Sequence, residues 1–342
     1  MTSFDSSKNY CGKNMYHPAL YTPLTDILGC KFPILCAGMG GVARHLLAAS
    51  VSNAGGFGCL GMVREQPEFI RKEVNLYRAI SDKPFAVNII PAATDPMLLS
   101  RQITECIALN IKHIVLFWDV DSEVIKQCRD NGIQVIHQIG TKRDAERALE
   151  AGVEVLIVQG IEAGGHVRGE TSLFGLLPEI RALGSIPIIA SGGIATGEAL
   201  VAALALGAQG VNCGTLFLAT TESHAHDFHK EKIIAAEAID TKLCYDFQRN
   251  WPVHAAVRVL KNAVTENPNH KYKTHSRQSI GEQDGAPIYP LSTDSPLKDA
   301  MGDLASMALY CGQGCGSVNS IKNAATVIND LMDQADQYLN RF

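Results

Sequence analysis

The stretch QVIHQIGTKRDAERALEAGVEVLIVQG, residues 134–160, decides the fold. It opens with one apolar run, Gln134 to Gly140, and closes with another, Val153 to Gly160; neither shows the strict polar alternation of a strand with one wet face. Such runs suit parallel strands covered on both sides. Between them Thr141 is placed to cap a helix, Ala145, Ala148 and Leu149 fall on one face, and Gly152 ends it. A strand, a helix and a second strand of this kind make one βαβ unit.

The same beat extends in both directions. Upstream lie Phe32 to Met39, Gly56 to Gly61, Phe85 to Ile90 and His113 to Asp119; downstream lie Ile186 to Gly192 and Gly210 to Phe217. Thr196 to Leu206 repeats the capped helix and stops at Gly207. Eight such units close naturally into an α/β fold of the (β/α)8 or TIM barrel type, with a doubly wound open sheet as the alternative.

The chain has 342 residues, and a barrel takes about 250, so about 90 remain. The first 16 residues read as a flexible tail, 17–223 as the barrel, 224–295 as a smaller, largely helical inserted subdomain that covers the open end, and 296–342 as C-terminal helices returning to the barrel. Within the insert, 228–264 reads as two helices, the second with Val253, Ala256, Val257, Leu260 and Val264 on one face. Thr265 to Pro287 shows no periodicity, and Pro296 to Tyr310 and Ser320 to Leu339 again have helical spacing.

Apolar residues make up 46% of the chain and charged ones 19%, enough for a large core. A net charge of -5 provides no global basic field for nucleic acid or an anionic membrane. The polar N-terminus lacks the apolar segment of a secretory signal, and the longest apolar stretch, Ala199 to Ala208, is about half a membrane span. A soluble, cytoplasmic protein is expected. The ten cysteines are scattered through apolar segments and read as buried thiols, including the closest pair, Cys311 and Cys315.

In such a barrel chemistry is carried where strands end and loops begin. Those ends are rich in glycine: Ala37 to Gly41, Gln159 to Gly169, Ser191 to Gly193 and Asn212 to Thr215. Glycine lets a ligand approach the backbone and meet its N–H groups, and the last two loops are where barrels commonly hold phosphate. A phosphorylated cofactor follows, with the N–H groups of Gly193, Gly214 and Thr215 suited to the anion. Gly56, Gly58 and Gly61 spell GxGxxG, but within a strand rather than between strand and helix, so they are not read as a dinucleotide site.

His166, inside EAGGH just past the sixth run and in a flexible loop, is placed to exchange a proton with a ligand. His137 reads as a core histidine and His113 as lying at the opposite, stability face. His224, His226 and His229 do not share one helical face, which favours a solvated helix start over a metal site, and no metal is expected. Lys271, Lys273, His275 and Arg277 form a small basic stretch in a polar loop.

Taken in order, TPLTDILGCKFPILCAGMGGVA (22–43), SNAGGFGCLG (52–61), FAVNI (85–89), VQGIEAGGH (158–166), IIASGGIATG (188–197), GAQGVNCGTLFLATTES (207–223) and CGQG (311–314) resemble the nitronate monooxygenase family. The resemblance implies an FMN-dependent barrel that oxidises alkyl nitronates with O2 to a carbonyl compound and nitrite. It further implies that Ala37, Gly38 and Met39 contact the flavin, that Asn88 lies near the isoalloxazine, and that Gln159 and Gly164 contact it from strand six. Gly192 or Gly193 with Asn212, Cys213, Gly214 and Thr215 would hold the phosphate, and His166 would be the base. Three motifs depart from the family pattern: CAGMGG where QAPMAGG is common, FWDVD at the end of the fourth run where a glycine is common, and CGQG for AGQG.

Partners implied are a small-molecule nitronate, or a nitroalkane, and O2, with exposed helices of the insert offering a homodimer surface. Flavin-dependent enoyl-acyl carrier protein reductases share the GGH loop and SGGI site, and an NAD(P)H:quinone reductase or a non-catalytic flavin-binding barrel are further alternatives. Inosine monophosphate dehydrogenase needs a loop cysteine after strand six, and none lies between Cys128 and Cys213.

Overall fold

The structure, a computed structural model, describes residues 16–267 and 276–341. The expected N-terminal tail, but for its last residue, and Lys271, Lys273 and His275 lie outside them.

All eight apolar runs contain barrel strands: β1 (Ile34–Cys36), β2 (Gly58–Gly61), β3 (Phe85–Ile89), β4 (His113–Phe117), β5 (Gln134–Ile139), β6 (Val155–Gln159), β8 (Ile188–Ser191) and β9 (Gly210–Cys213). A short extra strand, β7 (Gly165–Val167), sits in the loop after β6. The eight are parallel and ordered β1-β9-β8-β6-β5-β4-β3-β2, and a parallel bridge between Leu35 and Phe57 joins β1 to β2 and closes the ring. This is a TIM barrel. The caps lie where the sequence places them: Thr141 Oγ1 accepts from the Asp144 N–H at 3.1 Å and Thr196 Oγ1 from the Ala199 N–H at 3.2 Å.

Alternation is present along the strands although both faces are apolar. Val115, Ile136, Val155, Ile157 and Ile189 point into the barrel with Leu35, Phe57 and Ala86, over the plug formed by Leu24 and Leu28. Their neighbours Ile114, Val135, Leu156, Val158 and Ile188 face the helices. Advancing two residues along the inward face replaces this apolar layer by Asn88, Gln138, Gln159, Ser191 and Asn212. The polar layer therefore sits at the C-terminal ends of the strands.

The helix Ala324–Leu339 packs on the helices Gly197–Ala205 and His45–Asn53. The approach is close: a Cβ on Gly197 would lie 2.3 Å from the Ala335 nitrogen, and the Gly197 N–H donates to Gln334 Oε1 at 2.9 Å.

The inserted segment is not largely helical, which corrects the expectation. Among its described residues one α-helix is present, Asp227–Ile234, but the expected second one is strand β11 (Ala256–Leu260), paired antiparallel with β10 (Thr241–Cys244) and with β7. A short apolar run fits either period, and here Val257 and Val259 are buried between paired strands while Val253 is 76% exposed. The segment without periodicity holds a hairpin, β12 (Gly281–Gln283) and β13 (Ala286–Ile288), turning through Asp284 (φ 51) and Gly285 (φ 72). Asp-Gly is the usual signal for a two-residue turn of this hand. Pro296 to Tyr310 forms no α-helix, because its backbone pairs elsewhere: β14 (Met301–Gly302) with β12, Leu297 with Ala225 and Tyr310 with Val259. Among the described residues no helix is long and apolar enough to cross a membrane.

Candidate active site

The C-terminal ends of the strands surround a cavity of about 460 Å3, within the range typical of small-molecule sites. Its wall includes every residue singled out above as a candidate: Ala37, Gly38 and Met39 after β1, Asn88 on β3, Gln159, Gly164 and His166 on and after β6, Gly192 and Gly193 after β8, and Asn212, Cys213, Gly214 and Thr215 at β9.

The glycines are required by contacts. A Cβ on Gly38 would lie 2.3 Å from Asn88 Cβ, and one on Gly164 would lie 2.4 Å from the Gly312 nitrogen. Gly314 packs on Gly193, where a Cβ would stand 2.9 Å from the Gly193 oxygen, and the Gly312 N–H donates to Thr215 Oγ1 at 2.9 Å. CGQG thus buttresses the loops after β6, β8 and β9 from outside the strand cycle. Gly192 (φ 121) and Gly193 (φ 68) adopt backbone that other residues rarely hold. Among the described residues no hydrogen bond takes up the N–H of Gly193 or Gly214.

Three amides have distinct roles. Asn88 Nδ2 donates to the Val115 carbonyl at 3.0 Å, which leaves its buried Oδ1 without a partner. Gln159 is engaged at both ends, its Nε2 donating to the His166 carbonyl at 2.8 Å and its Oε1 accepting from the Arg168 N–H at 3.1 Å. It therefore buckles the loop that carries His166. Asn212 Nδ2 donates to Ser191 Oγ at 3.1 Å.

His166 is not in a flexible loop, as its glycine-rich surroundings led us to expect. It lies in β7, opposite Val257 of β11, so strand pairing with the insert fixes its backbone. Trp251 stacks on the imidazole with centroids 3.6 Å apart, and Trp118 and Tyr310 stand at 6.2 and 5.9 Å. Burial, and secondarily the Arg64 guanidinium, push its pKa down to about 3. The imidazole is neutral around pH 7, and its Nε2 is buried without a hydrogen-bond partner.

The sequence did not single out Trp251, Trp118, Tyr310 or Arg64. Both tryptophans of the chain lie at this site, and Trp118 directly follows β4. Its φ is 84°, backbone that a bulky side chain rarely adopts. Arg64 donates to the Asn250 carbonyl at 3.0 Å and pairs with Asp294 at 3.2 Å, tying the barrel rim to the insert. Glu65, also in the wall, has a carboxyl pushed up to about 7 by burial against the opposing pull of Arg44 and Arg64.

Two histidines on other barrel strands are structural. His137 is buried with Nδ1 on the Gln138 carbonyl at 2.9 Å, and His113 meets the edge of Phe57 at 5.2 Å. The second cluster is not simply a solvated helix start. His226 caps Asp227–Ile234, but His229 is fully buried with Nε2 on the Tyr310 carbonyl at 3.1 Å, because the C-terminal return covers that turn. His224 instead approaches Asp284 and Asp299, and Arg44 already pairs with Asp284 at 2.7 Å. Arg277, the one described member of the basic stretch, is exposed. All described cysteines are free thiols, buried except for half-buried Cys30.

The arrangement can cradle a flat phosphorylated cofactor and hold one neutral base beside it. A probable nitronate monooxygenase of Staphylococcus saprophyticus is 29% identical over 94% of this chain and 99% of its own length. A Rhodococcus jostii protein named (3aS,4S,5R,7aS)-5-hydroxy-7a-methyl-1-oxo-octahydro-1H-indene-4-carboxyl-CoA dehydrogenase is 35% identical over 65% of this chain; the match spans 62% of that relative's length. The structure of FabK from Thermotoga maritima superposes with a TM-score of 0.80 at 30% identity, covering 94% of this chain and 98% of that one. The family model described as nitronate monooxygenase matches residues 21–334, and the chain belongs to this family of flavin-dependent, typically FMN-dependent, oxidoreductases.

Proposed function

We propose that the protein binds FMN and oxidises alkyl nitronates, or the neutral nitroalkanes that yield them, with O2 to a carbonyl compound and nitrite. The observation that carries this reading is His166: a neutral, buried imidazole at the wall of a glycine-built cavity. The cavity suits the cofactor, since the unpartnered Asn88 Oδ1 offers an acceptor to a flavin ring N–H and the free N–H groups of Gly193 and Gly214 suit a phosphate. When bound, FMN supplies the electron transfer and the oxygen chemistry.

The chain supplies the rest. Neutral His166 accepts the α-proton of a nitroalkane at a ring nitrogen, while the C–H electron pair becomes the C=N bond of the nitronate and its charge moves to the nitro oxygens. Trp118, Trp251 and Tyr310 keep water from the base. A second reading, reduction of an unsaturated thioester by NAD(P)H, is favoured by the likeness to FabK. The two separate without oxygen. Propionate 3-nitronate alone should bleach the yellow FMN-loaded protein, whereas rapid bleaching by NADPH with no response to the nitronate would sink the first reading.

A further inference from the structure

Trp251 belongs to the insert, yet of the aromatic rings around His166 it stands nearest. Its indole lies flat on His166, 3.6 Å between centroids and 13° between planes. Trp118 stands edge-on to both rings, 5.8 Å from the indole. The turn that presents Trp251 is bracketed by two residues in left-handed backbone, Asn250 (φ 68) and His254 (φ 61). It is also held from the barrel by Arg64 through the Asn250 carbonyl. The chain therefore spends backbone strain on both sides of a ring whose neighbours are the base and one more indole.

The charged and titratable groups around the imidazole leave burial as the dominant influence. Among the described residues Arg64 is the one cation that bears on it, and Asp294 pairs with that guanidinium. Arg168 lies over the Trp118 ring and is paired with Asp119 and Asp144. Arg258, on the strand that pairs with β7, donates to the Ile161 carbonyl and to Thr241 Oγ1. Burial pushes the Tyr310 phenol far above its usual range, so it stays neutral. Among the described residues no carboxylate contributes to favour its charged form.

We propose that Trp251 is a positioning and specificity residue: by covering one face of His166 it withholds water from the ring and keeps it a neutral base, which directs the site to neutral C–H acids of the nitroalkane class. The substrate half of this rests on the function proposed above. Without the cover, hydration stabilises the imidazolium. A protonated ring cannot take a proton, although it can still hold an anionic nitronate.

The test compares FMN-loaded wild type with Trp251→Ala, Trp251→Leu and Trp251→Phe by NMR titration of labelled histidine, with His166→Asn identifying the signal. Trp251→Ala should raise the midpoint of His166 by at least one pH unit, Trp251→Leu by less, and Trp251→Phe, which keeps a flat ring, should restore the wild-type value. One pH unit below the alanine variant's own midpoint, where its imidazole is about nine-tenths protonated, Trp251→Ala should also lower the ratio of nitroalkane to nitronate turnover at least fivefold relative to wild type, with Trp251→Phe rescuing it. Unchanged titration in the alanine and leucine variants overturns the proposal. If wild type turns over neither nitro compound, the proposed function fails, but the titration still decides whether Trp251 controls the base.

Discussion

At the scale of single residues the site is set by what is missing as much as by what is present. Gly38 leaves room for Asn88, and Gly164 leaves room for the Gly312 backbone. Gly38→Ala would force a Cβ to 2.3 Å from Asn88 Cβ, so the purified variant should retain under half of the wild-type flavin per chain, read from the ratio of flavin to protein absorbance. Full retention would mean that the Gly38 contact does not shape the cradle. These glycines were legible because four clusters fall at one barrel end. Trp251 was not, since its stacking on His166 depends on the insert returning to pair with β7, a contact between residues far apart in sequence. Trp118 lies in FWDVD, one of the motifs that depart from the family pattern, and its φ of 84° is backbone that a bulky side chain rarely adopts.

Among elements, the barrel strands could be read because each is an apolar run separated from the next by a helix, five of the seven helices carrying a side-chain cap. The strands of the insert are three to five residues long, and β11 also pairs with the distant β7, so its apolar residues match a helical period by coincidence. The β12–β13 hairpin, which contributes Gln283, Asp284 and Ala286 to the cavity wall, carried a usable signal in Asp284-Gly285. Gly285 has φ 72° and nothing within 4 Å of an added Cβ, so Gly285→Ala tests backbone strain alone. It should cost about 1 kcal/mol and lower Tm by about 2 °C in calorimetry, with flavin content unchanged. A variant as stable as wild type would remove the left-handed turn from the account.

For the whole molecule, the barrel presents the glycine-lined cavity while the insert closes over His166. That division has a consequence for acid stability. His166 and His229 are buried, and burial pushes their pKa values down to about 3 and about 4 from the ordinary 6.5. Between those limits the unfolded chain binds protons that the folded chain does not. Stability is therefore unaffected by these groups above pH 6.5 and falls as pH drops toward 4. The urea midpoint should decline over that window, and less steeply in His229→Gln; parallel declines would exclude His229 as a contributor. The central claim, that His166 acts as the base, is tested most directly by nitrite release in air from a neutral nitroalkane and from its preformed nitronate, in wild type and His166→Asn. The account predicts a loss of about 100-fold or more on the nitroalkane and a clearly smaller loss on the nitronate. Equal turnover of the nitroalkane by both proteins would contradict it.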